Sequence, residues 1–142
     1  MGTHTMANTK VKISRWSTGV VILSLALFFF TVPHSLEDFA AGELLNSSLP
    51  ATVISYGVAS LFALQALALF WTGRRLRRSY VIHFTLGLFW PFVVGITQLP
   101  EILSGSLYRT GSISIYYVIG TIVIGVLLSL FSVLALRASR PD

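Results

Sequence analysis

The run WSTGVVILSLALFFFTV, residues 16–32, passes directly into PHSLEDFAAGE, residues 33–43, and the junction between them governs how the rest of the chain is read. The first part has no charge over 17 residues. At about 1.5 Å of rise per residue such a helix covers roughly 25 Å of a hydrocarbon core about 30 Å thick. The second part holds Glu37, Asp38 and Glu43, three of the five acidic residues, so the scarce negative charge gathers at one boundary of an apolar segment.

Working outward, Lys10, Lys12 and Arg15 precede the apolar run, and residues 1–15 read as a flexible cytoplasmic tail. The run is longer than a signal-peptide core and no small-x-small cleavage pattern follows it, so it reads as a retained span. Downstream, residues 51–71 form a second apolar segment whose one strongly polar side chain is Gln65. It ends at Arg74, Arg75, Arg77 and Arg78. A third segment, residues 80–99, carries Trp90 and Pro91 at its middle, where the missing backbone donor predicts a kink. Pro100 and Glu101 close it, and residues 112–136 make a fourth segment before Arg137 and Arg140.

Composition agrees. With 54% hydrophobic and 11% charged residues and a mean hydropathy of +0.79, the chain has too little polar surface to clothe a soluble globule. A net charge of +5 raises the question of nucleic acid, but the bases stand in short clusters beside apolar runs, as topology signals do, and no nucleic-acid partner is expected. The absence of cysteine excludes disulfides, thiolate metal sites and cysteine nucleophiles. In a four-span chain nine of the ten basic residues share one side, with Arg109 opposite, while Glu37, Asp38, Glu43 and Glu101 share the other. The expected fold is therefore an all-α integral membrane protein: an antiparallel four-transmembrane-helix bundle, residues 16–142 as one domain, both termini cytoplasmic. Residues 33–50 would form an outer segment with a short interfacial helix.

Small residues at four-residue spacing predict where the helices meet. Thr121, Gly125 and Ser129 on the fourth span, Gly87, Pro91 and Gly95 on the third, and Ser55, Ala59 and Ala63 on the second are each expected to face inward, with a homo-oligomer seam as the other use. Gln65 and Gln98 are expected to bond between helices. Trp90 belongs in the interior, and Trp16, Trp71 and Tyr80 at the membrane boundary. The arginines at 74–78 read as a topology anchor, with anionic lipid headgroups as the other use. His83 reads as a packed or interfacial histidine, too far from His34 to share a ligand.

If the first helix continues through Pro33, then His34, Glu37 and Asp38 stand at i, i+3 and i+4 and share one face. An imidazole beside carboxylates at a membrane edge can exchange protons with a substrate, or the same three residues can hold a divalent metal. Trp90, Gln98 and Tyr108 are the candidates for shaping a substrate pocket. The competing structural reading is a capping box, with Ser35 capping a new helix and Asp38 reaching back to it. Two carboxylates and a histidine at a membrane edge exceed what a cap needs, which favours a site.

His34-Ser35-Leu36-Glu37-Asp38 after an apolar helix resembles the signature of the HXXEE-motif family of small multi-span bacterial and archaeal membrane proteins, with Asp38 where the second Glu stands. Residues 107–113, leading into the last span, look like that family's loop-to-helix transition. The resemblance implies a site at His34 and Glu37 and a prokaryotic plasma membrane, without naming a reaction. The architecture is also similar to that of sterol-isomerase-type four-helix membrane proteins, which direct His and Glu into a lipid-facing pocket. Three functions are open: an enzyme acting on a small or lipophilic substrate, a divalent-metal-binding protein, and a non-catalytic accessory subunit whose acidic face meets a protein partner.

Overall fold

A computed structural model describes residues 15–42, 49–105 and 111–139. They form four helices: α1 (Arg15–Ala40), α2 (Ala51–Gly73), α3 (Arg77–Leu103) and α4 (Ser112–Ala138), with no strand among the described residues. Each is long and apolar enough to cross a membrane. The observed helices overrun the expected spans at their ends, because the polar residues flanking each apolar run stay helical: α3 begins at Arg77 and ends beyond Pro100 at Leu103.

Side-chain pairs fix the directions. On α1 and α4, Gly19 lies against Phe131 while Phe30 lies against Gly120, so the two run antiparallel. Ser24 meets Gln65 and Phe28 meets Phe62, which makes α2 antiparallel to α1. Tyr80 of α3 bonds Ser17 of α1 at 2.7 Å, so those two run parallel across the bundle. Going round, the order is α1, α4, α3, α2, with α4 packed closely on α1 and α3, and α2 more loosely on α3 and α1.

Close packing follows a seam legible at 4-3 spacing. On α4 the buried positions are Ser114, Val118, Thr121, Gly125, Leu128, Ser132 and Ala135, with Ser129 beside them. On α1 they are Val20, Ser24, Leu27, Thr31 and His34, with Ser35 beside them. Alternating steps of four and three average 3.5 residues, the repeat that keeps one stripe of a slightly supercoiled helix against its neighbour. Most of the α4 stripe is small, which lets backbones approach.

Between α3 and α4 the backbones themselves come close. Pro91 has no N–H to donate to the carbonyl of Gly87, four residues back. That carbonyl instead lies against Gly125, 2.8 Å from where a Cβ would stand, and the Pro91 ring closes on the same point from 2.5 Å. A Cβ on Gly87 would in turn meet the Ser129 hydroxyl at 2.6 Å. Ser129 donates to Phe84 O at 3.1 Å, completing the interlock. The expected inward stripe of α4 is thus observed, as are Gly87 and Pro91, whereas Gly95 has open space beside it.

The α2 stripe corrects the sequence reading. Ser55, Ala59 and Ala63 are exposed. The buried residues of α2 are Gln65, Ala68 and Thr72, with Val58, Leu61 and Phe62 packed on the core cluster. A helix apolar on every side gives no amphipathic signal, so small size alone did not identify its contact face. Tyr80 is 4% exposed and bonded to Ser17, so its ring packs into the bundle and does not face outward as a belt residue would. Gln65, fully buried, does bridge helices as expected, donating to Ser24 O at 2.9 Å.

Candidate acid–base site

α1 does not stop at Pro33. It continues unbroken to Ala40, so Ser35 caps no new helix and residues 33–40 do not form a separate interfacial one. The part of the expected outer segment at 43–48 lies outside the described residues. In so apolar a helix the continuation is favourable, since Pro33 removes a single backbone donor whereas a break would uncover several groups.

This continuity decides which way the motif faces. His34 is the next seam position after Thr31, and Asp38 is the next after His34, so the packing stripe that buries Val20 and Leu27 also carries the imidazole inward. His34 is 2% exposed. Its Nδ1 lies 3.8 Å from Asp38 Oδ1, within ion-pair range one turn along, and the Asp38 side chain keeps 17% exposure. Glu37 turns toward α4, where Ser114 donates its hydroxyl to Glu37 Oε1. Ser114 is fully buried and opens the α4 seam. The arrangement is thus an inward histidine, a partly exposed carboxylate one turn beyond it, and a second carboxylate tied to a neighbouring helix.

The other candidate residues divide. The register that sets Gly87 against Gly125 also puts Gln98, eleven residues on, at the level of Ser114, eleven residues back, so Gln98, which is 5% exposed, shares the level of Glu37. Trp90 is buried as expected but stands eight residues below Gln98, about 12 Å by helix rise. Its ring stacks on Phe62 with centroids 5.5 Å apart, in the middle of the bundle. It therefore belongs to the central packing and not to a pocket around His34. Tyr108, Arg109 and Glu43 lie outside the described residues.

Among the described residues no three His, Asp or Glu side chains converge as a metal site requires. His34, Glu37 and Asp38 share a face, but Glu37 is directed to Ser114 and Asp38 to the imidazole, so the three do not fit a divalent ion as arranged. His83 is a packed histidine: it is fully buried at the opposite end, with Nε2 3.2 Å from Thr72 Oγ1. The Thr72 proton goes to Ala68 O, so His83 Nε2 is the donor in that pair.

Ser114 is the residue that sequence reasoning missed. Its signal was present, since the Thr121–Gly125 stripe extended backward in steps of three and four arrives at Val118 and then Ser114. No protein-family model matches this chain, and no curated protein or solved structure matches it significantly, so the likeness to the HXXEE family rests on the motif at His34–Asp38.

Proposed function

We propose that this is a multi-pass membrane protein with an acid–base site at the acidic end of the bundle, acting on a small or lipophilic substrate. His34 is the proton-exchanging group, Asp38 orients its imidazole, and Glu37, held by Ser114, is the second acid or base. The observation that carries this reading is the seam position of His34, which turns an imidazole inward within 3.8 Å of a carboxylate. A histidine needed only for solubility would face away from the seam. Gln98, at the same level, would orient the substrate.

The charge distribution supports placing the basic end in the cytoplasm. Arg15, the arginines at 74–78 and Arg137 lie at one end, and Glu37, Asp38 and Glu101 at the other. On this reading both termini are cytoplasmic and the site opens on the outer face of a prokaryotic plasma membrane, in line with the HXXEE-like motif. The metal-binding alternative finds no converging ligand set among the described residues, which favours proton exchange.

The test is deuterium wash-in. Protein in lipid nanodiscs is incubated in D2O with a panel of lipophilic compounds bearing exchangeable C–H bonds, such as enones and sterol ketones, and label uptake is read by mass spectrometry. Wild-type protein should label one class, and His34→Gln or Glu37→Gln should lower the rate by about 10²–10⁴-fold. Asp38→Asn should lower it less. Exchange that survives His34→Gln unchanged, or no exchange with any compound, overturns the reading.

A further inference from the structure

The turn between α2 and α3 carries Arg74, Arg75, Arg77 and Arg78, all exposed. Among the described residues no carboxylate shares this end, because Glu37, Asp38 and Glu101 lie at the other. Among the described residues, then, nothing of opposite charge offsets these four arginines. Two of them are also held against apolar surface: the Arg74 guanidinium lies 4.6 Å from the Phe70 ring centroid and that of Arg78 lies 4.2 Å from Trp71. The first turn of α3 has no acidic side chain, and Leu76 at its N-cap offers no side-chain bond.

Between α2 and α3 lies a groove of about 200 Å³ that begins on α3 at Val81, one turn from Arg77, while its α2 wall lies ten or more residues, about 15 Å by helix rise, from Arg74. Leu61 and Leu64 form one wall, and Val81, Thr85, Leu86 and Phe89 the other. The one polar group among these, the Thr85 hydroxyl, donates to Val81 O at 3.0 Å, so the wall is apolar in effect. From Val81 to Phe89 the groove follows about 12 Å of helix rise, against roughly 15 Å for half of a 30 Å hydrocarbon core. Its near end stands one helical turn from Arg77 and Arg78.

We propose that this groove and the arginine turn bind one anionic phospholipid, an acyl chain lying between α2 and α3 and the phosphate resting on the arginines. A charge cluster acting only as a topology anchor needs no groove beside it, and a groove for neutral lipid needs no cluster of arginines at one end. The proposal is independent of the acid–base site, which lies at the other end.

The test uses the purified full chain in neutral detergent, titrated with phosphatidylglycerol, phosphatidylcholine and glycerophosphoglycerol, with native mass spectrometry as the readout. One phosphatidylglycerol per chain should bind at least about tenfold more tightly than phosphatidylcholine, and the chain-free headgroup should bind far more weakly than either. Removing two charges with Arg75→Gln and Arg77→Gln should weaken phosphatidylglycerol by roughly 30-fold, at about a factor of five per arginine. Thr85→Trp, which fills the groove and leaves the charge intact, should weaken it comparably. Equal affinity for the two lipids overturns the proposal, as does phosphatidylglycerol binding indifferent to Thr85→Trp. A dimer that Thr85→Trp breaks and lipid does not would assign the groove to a second copy of the chain and also overturn it. The wild-type comparison of the three ligands decides even where Thr85→Trp does not fold.

Discussion

At the scale of single residues, three positions carry stress or bonding that a substitution can read out. Gly125 has Pro91 and the Gly87 carbonyl where a side chain would begin, so Gly125→Ala should lower stability by about 1–3 kcal/mol in a detergent unfolding titration. Because the Pro91 ring is the nearest obstacle, Pro91→Ala should restore part of that loss, and a double-mutant cycle that is strictly additive would refute the interlock. Arg75 sits at φ 59°, the left-handed position closing α2, where Leu76 N–H bonds Trp71 O at 3.0 Å and Arg75 N–H bonds Thr72 O at 2.9 Å. Glycine usually fills that position, so Arg75→Gly should raise stability by about 1 kcal/mol when measured without lipid. Gln65 is fully buried and donates to both the carbonyl and the hydroxyl of Ser24. Gln65→Ala should cost about 1–2 kcal/mol by thermal melting, and Ser24→Ala should recover little of it because the carbonyl bond is independent of the serine side chain.

At the scale of elements, the four helices are not equivalent. α4 buries a continuous 4-3 stripe of mostly small residues against two neighbours, whereas α2 keeps large side chains such as Tyr56, Leu67 and Phe70 exposed. Enlarging the exposed α2 positions, Ala59→Leu with Ala63→Leu, should therefore change melting by no more than about 0.5 kcal/mol. Thr121→Leu, at a fully buried α4 position, should be destabilising by about 1–3 kcal/mol. A larger effect on α2 than on α4 would mean that the assignment of faces is wrong. The same contrast explains why the α4 stripe and the Gly87–Pro91 part of the α3 stripe were readable and the α2 stripe was not. On α4 small size and position on the seam coincide. On α2 the small residues Ser55, Ala59 and Ala63 lie off the seam, and contact is made by Gln65, Ala68 and Thr72.

At the scale of the whole molecule, the separation of charge makes topology directly testable. The chain has no cysteine, so single cysteines report without background. Ser104→Cys at the acidic end should react with a membrane-impermeant maleimide on intact cells, and Ser139→Cys at the basic end should react only after the membrane is opened. The reverse pattern would invert the proposed orientation, and labelling of both from one side would remove the four-span arrangement. Within this architecture, the motif around His34 could be recognised as unusual from the chain, but its direction could not. Ser35 and Asp38 satisfy the pattern of a helix start as well as that of a helix interior, and only the unbroken helix through Pro33 distinguishes them. Trp90 shows the complementary limit: its burial was foreseeable beside Pro91, yet its level, well below His34, follows from the register of α3 on α4.

The amino-acid order by itself determined the number of helices, their alternation and the sorting of acids and bases to opposite ends, because hydrocarbon thickness and scarce charge constrain a chain of this composition before any contact forms. Tertiary structure alone decided which side of α2 meets the bundle, that Glu37 is tied to Ser114, and that His34 turns inward. Where lipid and protein interior are equally apolar, hydrophobicity does not distinguish the two surroundings, and the fit of small residues, rings and carbonyls against one another makes the choice.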